Sequence, residues 1–153
     1  MYKRQDLINF KTNKIIVDYA HTPESISQVI KYVNPYFSKV VVLFGAGGNR
    51  DKEKRKLMGT ASQLADSVIV TNDNPRNEDP IQISNDILKG CDLSKTTVIL
   101  DRKEAITSAI NELRENSVLL VLGKGHEMYQ EINNSHIPFN DNDFINETIG
   151  GLI

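Results

Sequence analysis

The residues able to do chemistry collect in four short stretches, each directly after a run of apolar residues. Asp18-Tyr19-Ala20-His21-Thr22-Pro23 follows the first. Gly45-Ala46-Gly47-Gly48-Asn49-Arg50-Asp51-Lys52 follows the second, Asn72-Asp73-Asn74-Pro75-Arg76 the third, and Gly123-Lys124-Gly125-His126-Glu127 the last. The glycine-rich stretch could present backbone N–H groups to a phosphate at a helix start. It is not a P-loop, because no Gly-Lys-Ser or Gly-Lys-Thr follows at the required spacing. Gly123-Lys124-Gly125 lacks that spacing too, and such a stretch by itself is more often a strand exit than a nucleotide site. His126-Glu127 opens like a zinc-protease motif, but Gln130 stands where the second histidine would be. With three histidines and one cysteine in the chain, no metal-ligand spacing set forms. Nor can a Ser/His/Asp or Cys/His nucleophile be argued. Arg50 and Arg76, beside glycines at two strand ends, offer planar forks for carboxylate or phosphate. Glu127 offers an acceptor to an ammonium group. A pocket of both signs suits a zwitterion such as an amino acid better than a simple anion.

The elements that must position these stretches alternate strand and helix. Strands are expected at Lys14–Val17, Val40–Phe44, Val68–Thr71, Thr97–Leu100 and Val118–Leu122, and their continuous apolar character suits a parallel sheet covered on both faces. Helical stripes run through Ile26, Val29, Ile30 and Val33, through Leu57, Ala61, Leu64 and Ala65, and through Ile106, Ala109, Ile110 and Leu113, with a weaker one at Ile83, Ile87 and Leu88. Thr22-Pro23 and Asp79-Pro80 each place a cap before a proline at the first helical position, and Asp101 with Glu104 has capping-box spacing. Met128–Ile132 and Ser135–Phe139, joined by Asn133-Asn134, read as a hairpin before a closing helix over Phe144, Ile145, Thr148 and Ile149. The fold class is therefore α/β: a Rossmann-like open, mostly parallel sheet with helices on both faces, and ligands bound beyond the carboxyl ends of its strands.

Composition is consistent with this. The chain has 153 residues, enough for one compact domain, with 39% apolar and 25% charged residues. A net charge of −2 provides no electrostatic footprint for nucleic acid or an anionic membrane. The single Cys91 cannot close an internal disulfide, no apolar run is long enough to span a bilayer, and the first residues carry no signal peptide; a cytoplasmic monomer is expected.

The same four stretches resemble the C-terminal domain of the Mur ligases, and within that family the UDP-N-acetylmuramoyl-tripeptide synthetase (MurE) branch of the meso-diaminopimelate-adding type. The matching segments are VDYAHTPES at 17–25, FGAGGNRDKEKRKLMG at 44–59, TNDNPRNEDP at 71–80 and LGKGHEMYQ at 122–130. Asn49 and Lys56 depart from the Asp and Pro usual there. The resemblance implies an amino-acid-binding domain of an ATP-dependent carboxylate–amine ligase of peptidoglycan synthesis, adding meso-diaminopimelate to UDP-N-acetylmuramoyl-L-alanyl-D-glutamate. Under it, Asp18, Tyr19 and His21 fall where the family contacts ATP. Arg50, Asn74, Arg76, Gly123 and Glu127 fall where it binds the amino acid. Residues 1–153 would be a single C-terminal domain without the UDP-sugar domain and without the central ATPase domain that holds most of the Mg²⁺ contacts, so no catalytic residue is expected here and the domain alone would be inactive. Alternatives are a relative adding lysine or lanthionine, a stand-alone nucleotide- or amino-acid-binding module, and a domain whose loops are only structural.

Overall fold

A computed structural model describes residues 5–49 and 51–152. The elements in order are β1 (Asp6–Phe10), β2 (Asn13–Asp18), α1 (Pro23–Val33), a short 3₁₀ turn (Asn34–Tyr36), β3 (Lys39–Phe44), α2 (Glu53–Ser62), β4 (Ser67–Val70), α3 (Pro80–Leu88), β5 (Thr96–Val98), α4 (Arg102–Glu112), β6 (Ser117–Leu122), β7 (Tyr129–Ile132), β8 (Ser135–Pro138) and α5 (Asp141–Gly150). Six strands form one sheet in the order β1-β2-β6-β3-β4-β5, while β7 and β8 make a separate hairpin. All pairings in the large sheet are parallel except β1 with β2. Strand β6 lies between β2 and β3, so Val121 stands opposite both Val17 and Leu43.

Alternation along the strands sorts the core into two layers. Val40, Val42, Phe44, Leu120 and Leu122 pack with Ile26, Ile30, Met58 and Ile87 of α1, α2 and α3. Their neighbours Val41, Leu43, Leu119 and Val121 pack with Ile106, Ala109, Ile110, Ile145 and Ile149 of α4 and α5. Helices therefore cover both faces, as the alternation of strand and helix in the chain implies.

The caps form where the local chemistry places them. Thr22 and Ser25 make a full reciprocal capping box on α1, and Asp79 and Asp101 accept from the first N–H groups of α3 and α4. Asn133 and Asn134 both take positive φ, 49° and 63°, the left-handed pair that a two-residue hairpin turn requires.

Two expectations need correction. Strand β1 has no counterpart in the sequence reading, since its Leu7 is exposed on an edge strand and its apolar pattern is weak. The inward face of α2 is Arg55, Met58, Gly59 and Ser62, whereas Leu57 and Leu64 are exposed. The helix is rolled because Arg55 turns inward to ion partners, and its i, i+3, i+4, i+7 face follows it.

Candidate functional site

The ends of β2, β3, β4 and β6 open into one cleft of about 430 Å³. Backbone hydrogen bonds beyond the strands align the loops: Gly123 N–H donates to Asp18 O (3.0 Å), Thr71 N–H to Phe44 O (2.9 Å), and Gly48 N–H to Asn74 O (2.7 Å). A Cβ on Gly48 would lie 1.8 Å from Pro75 O, so only glycine lets these two loops touch. Gly123 has φ +110°, and a Cβ there would meet Asp73 Oδ2 at 2.5 Å.

The structure brings Tyr19, His21, Asn74, Arg76, Gly123 and Glu127 to this cleft. Arg50 lies outside the described residues. Asp18 is buried at the root of its loop. Its Oδ1 accepts from Ala20 N–H (2.9 Å) and its Oδ2 from the Gln5 amide (2.8 Å). Tyr19 and His21 pack edge to face (4.9 Å between ring centroids) and line both the cleft and a smaller depression that reaches to α1.

Asn74 and Glu127 are joined through Lys124, which the sequence reading left unassigned. Lys124 is wholly buried, and its Nζ donates to Asn74 Oδ1 (2.9 Å), Glu127 Oε1 (2.9 Å) and Tyr129 O (2.8 Å). Asn74 Oδ1 also accepts from Glu131 N–H (3.0 Å), which fixes the amide with Nδ2 toward Glu127 Oε1 (3.2 Å). A lysine between two glycines was the available signal. Lys124→Met is expected to weaken binding of an amino-acid ligand in the cleft about tenfold. It removes the cation that Asn74 Oδ1 and Glu127 Oε1 share and takes the Nζ donor from Tyr129 O, at about 1–3 kcal/mol for the lost charge-assisted contacts. Titration of the variant beside the parent chain checks this.

Asp73 is the second residue that the sequence reading passed over, although it opens the Asp-Asn-Pro-Arg run. It lines the cleft, is 8% exposed, and receives no side-chain hydrogen bond among the described residues. Burial pushes its carboxyl above the usual carboxylate range, opposed by the Arg102 and Lys124 cations. A cation seated against it would relieve that cost.

Arg76, at φ +54°, lines the same cleft. Its Nε donates to Glu131 Oε2 (2.6 Å) and its Nη1 to Gly48 O (2.9 Å), leaving Nη2 without a partner among the described residues. The floor beneath the glycine loop is held by Arg55, also unassigned in the sequence reading. Its Nη1 meets Glu78 Oε2 (2.6 Å) and Asp86 Oδ2 (3.0 Å), and its Nη2 meets Glu78 Oε1 (2.7 Å) and Gly47 O (3.2 Å). Glu78 in turn accepts from Asn49 N–H (3.0 Å). The Arg55 hydrogen bonds lower the Glu78 carboxyl from 4.5 to about 2. A depressed carboxylate stabilises the fold above its unfolded value and loses that contribution as pH falls through the folded one. Glu78→Gln is therefore expected to cost about 3 kcal/mol at neutral pH, at about 1.4 kcal/mol per decade between the two values, and to flatten the loss of stability between about pH 4.5 and 2. Urea unfolding across that range checks it.

Among the described residues, no group of three or more His, Cys, Asp or Glu could hold a metal ion, and no helix is long and apolar enough to cross a membrane.

Comparison with known proteins follows the same geometry. The family "Mur ligase, glutamate ligase domain" matches residues 3–125. A curated UDP-N-acetylmuramoyl-L-alanyl-D-glutamate–2,6-diaminopimelate ligase of Rickettsia montanensis is 46% identical over 139 residues, covering 88% of this chain and 29% of that protein. The enzyme of the same name from Aquifex aeolicus is 42% identical over 151 residues, covering 97% and 31%. A solved structure of a ligase of that name superposes with a TM-score of 0.95 at 38% identity, over 99% of this chain and 32% of the other. A Mycobacterium tuberculosis folylpolyglutamate synthase, solved with ADP and AMPPCP, shares the fold at 19% identity and TM-score 0.56, over 72% of this chain and 27% of that one. The chain thus spans about three-tenths of the length of the curated relatives it matches. With its fold, its loop order and most of its length accounted for in this way, the chain belongs to the Mur ligase family and contains its glutamate ligase domain.

Proposed function

We propose that this chain is the amino-acid-binding, C-terminal part of an ATP-dependent ligase that adds meso-diaminopimelate to UDP-N-acetylmuramoyl-L-alanyl-D-glutamate in the cytoplasm. The observation that carries this reading is the mixed sign of the cleft: the Arg76 guanidinium, with Nη2 unengaged among the described residues, beside the Asp73 and Glu127 carboxylates. The relatives' names supply the candidate substrate, and diaminopimelate presents at its distal end both a carboxylate and an ammonium group. In this reading Arg76 and Arg50 take carboxylates, Asp73 and Glu127 accept from ammonium, and Asn74, locked by Lys124, orients the group between them. Gly123 leaves room beside Asp73.

The roles of Tyr19 and His21 follow from their place between the cleft and the adjoining depression. They form the shared wall against which a nucleotide would lie, with Asp18 buttressing the loop from below. ATP, with Mg²⁺ held mainly by a central domain outside this chain, would supply the phosphoryl group that activates the acceptor carboxylate. The residues here bind, orient and bring the amine close, a contribution of proximity rather than of phosphoryl chemistry. The chain alone is accordingly expected to bind weakly and to form no amide.

Discrimination against lysine follows from the same cleft. Lysine ends in an ammonium group without a distal carboxylate, so it would leave Arg76 Nη2 dehydrated and without an acceptor, which a site built for a carboxylate penalises. The test is an amide-shift titration of the isotope-labelled chain with meso-diaminopimelate and then L-lysine. Shifts at Asn74, Arg76 and Glu127 with the first and not the second support the proposal. An equal response to both, or none to either, overturns it.

A further inference from the structure

We propose that Glu131, on the β7–β8 hairpin, is a positioning residue that sets the aim of the Arg76 guanidinium and thereby makes the hairpin a determinant of substrate specificity. The proposal deepens the diaminopimelate reading and rests on it for the identity of the ligand, though not for the contact itself.

The hairpin lies outside the main sheet, yet it grips the Arg76 loop by its backbone. Arg76 N–H donates to Glu131 O (2.8 Å), Asn133 N–H donates to Arg76 O (2.8 Å), and Arg76 and Ile132 form a parallel bridge. These bonds hold Arg76 in its left-handed conformation, which a non-glycine residue keeps only when its surroundings impose it. The side chain is then held by the same strand. Glu131 Oε2 accepts from Arg76 Nε at 2.6 Å, with both side chains largely covered, at 20% and 27% exposure. Gly48 O takes Nη1 from the other side at 2.9 Å. With Nε and Nη1 occupied, the planar fork has one orientation, and among the described residues Nη2 is left as a donor for a ligand. Glu131 is itself oriented: its Oε1 lies 3.5 Å from His136 Nε2, and the His136 ring stacks on Tyr129 (4.2 Å between centroids, 4° between planes).

An incidental surface ion pair would behave differently. A glutamate that acted only through its charge would weaken the attraction of Arg76 for a carboxylate, so its removal would tighten binding. A glutamate that orients the fork gives the opposite sign, because a freed guanidinium must be re-ordered by each ligand. Glu131→Gln separates charge from geometry, since the amide oxygen can still accept from Nε.

The experiment uses the whole chain with Glu131→Ala, Glu131→Gln, Arg76→Ala and the Arg76→Ala/Glu131→Ala pair. Two readouts are followed: the Arg76 Nε–H resonance without ligand, and the dissociation constants for meso-diaminopimelate and L-lysine. The Nε–H signal is expected to be shifted and slow to exchange in the parent chain, lost in Glu131→Ala and largely retained in Glu131→Gln. Binding of meso-diaminopimelate is expected to weaken about tenfold in Glu131→Ala and less than threefold in Glu131→Gln. Lysine binding should be unaffected, and Glu131→Ala should add nothing to Arg76→Ala. Unchanged or tighter binding in Glu131→Ala, or an Nε–H signal indifferent to the substitution, overturns the proposal. If the parent chain does not prefer meso-diaminopimelate to lysine, the substrate reading fails by itself, and the ligand-free Nε–H signal still decides whether Glu131 positions Arg76.

Discussion

Asp141→Ala is expected to destabilise the fold by about 3–5 kcal/mol, more than any single truncation of an apolar helix residue on the same face short of a large core side chain. Asp141 opens α5, and its two carboxylate oxygens take Nε and Nη2 of Arg102, both at 2.7 Å, with both side chains fully buried. Arg102 continues to Asn72 O (2.9 Å), just past β4, and to Leu122 O (3.3 Å), the last residue of β6. One guanidinium therefore ties α4, α5 and two strand ends together. Removing the carboxylate leaves a buried cation without its hydrogen-bonded counter-charge, facing only the charges of Asp73, itself burdened by burial, and Glu127 among the described residues. The double variant Arg102→Met/Asp141→Leu removes both charges and is expected to cost less than Asp141→Ala alone. Urea unfolding of the three proteins measures the difference. Equal losses in the single and double variants would mean that packing, and not the stranded charge, sets the cost.

Arg76→Ala is expected to weaken meso-diaminopimelate binding roughly 100-fold while changing lysine binding little. A charge-assisted hydrogen bond to a desolvated carboxylate contributes about 1.5–3 kcal/mol, and each tenfold in affinity is about 1.4 kcal/mol. The backbone at position 76 pays no new strain, since alanine carries the same Cβ at φ +54° as arginine does. Arg76→Lys should not restore the preference, because an ammonium cannot at once hold Glu131, reach Gly48 O and present a second donor to the ligand. Titration of each variant with both amino acids measures the ratio. A ratio unchanged by Arg76→Ala would remove the distal carboxylate from this residue.

Much of the frame could be read from the chain because it is encoded over short distances. The runs Val40–Phe44 and Val118–Leu122, the stripe of α1 and the Thr22, Asp79 and Asp101 caps all depend on neighbours within one or two turns, and each appears where that chemistry places it. The meeting of four polar loops at one edge also follows, because parallel strands joined by helices must all end on the same side. The loops that carry Tyr19, His21, Asn74, Arg76, Gly123 and Glu127 were identifiable as a group for that reason, while Tyr19, His21, Asn74 and Gly123 were singled out within them by the family resemblance.

What fixes those residues in place depended on partners far along the chain. Lys124 reaches Asn74, Arg55 reaches Glu78, Arg102 reaches Asp141 and Arg76 reaches Glu131, across separations of 50, 23, 39 and 55 residues. No periodicity links such positions. Leu57 and Leu64 made a plausible apolar stripe by themselves, yet α2 turns Arg55 inward, where it meets Glu78 and Asp86, and leaves both leucines exposed. The sequence by itself determined the elements, their alternation and the edge at which chemistry gathers, since these arise from local backbone preference and burial pattern. Only the tertiary structure decided which charges are buried, which are paired and which donor remains free, because the energy of a charge depends on its solvent exposure and its neighbours in space, and these exist only once the chain has folded.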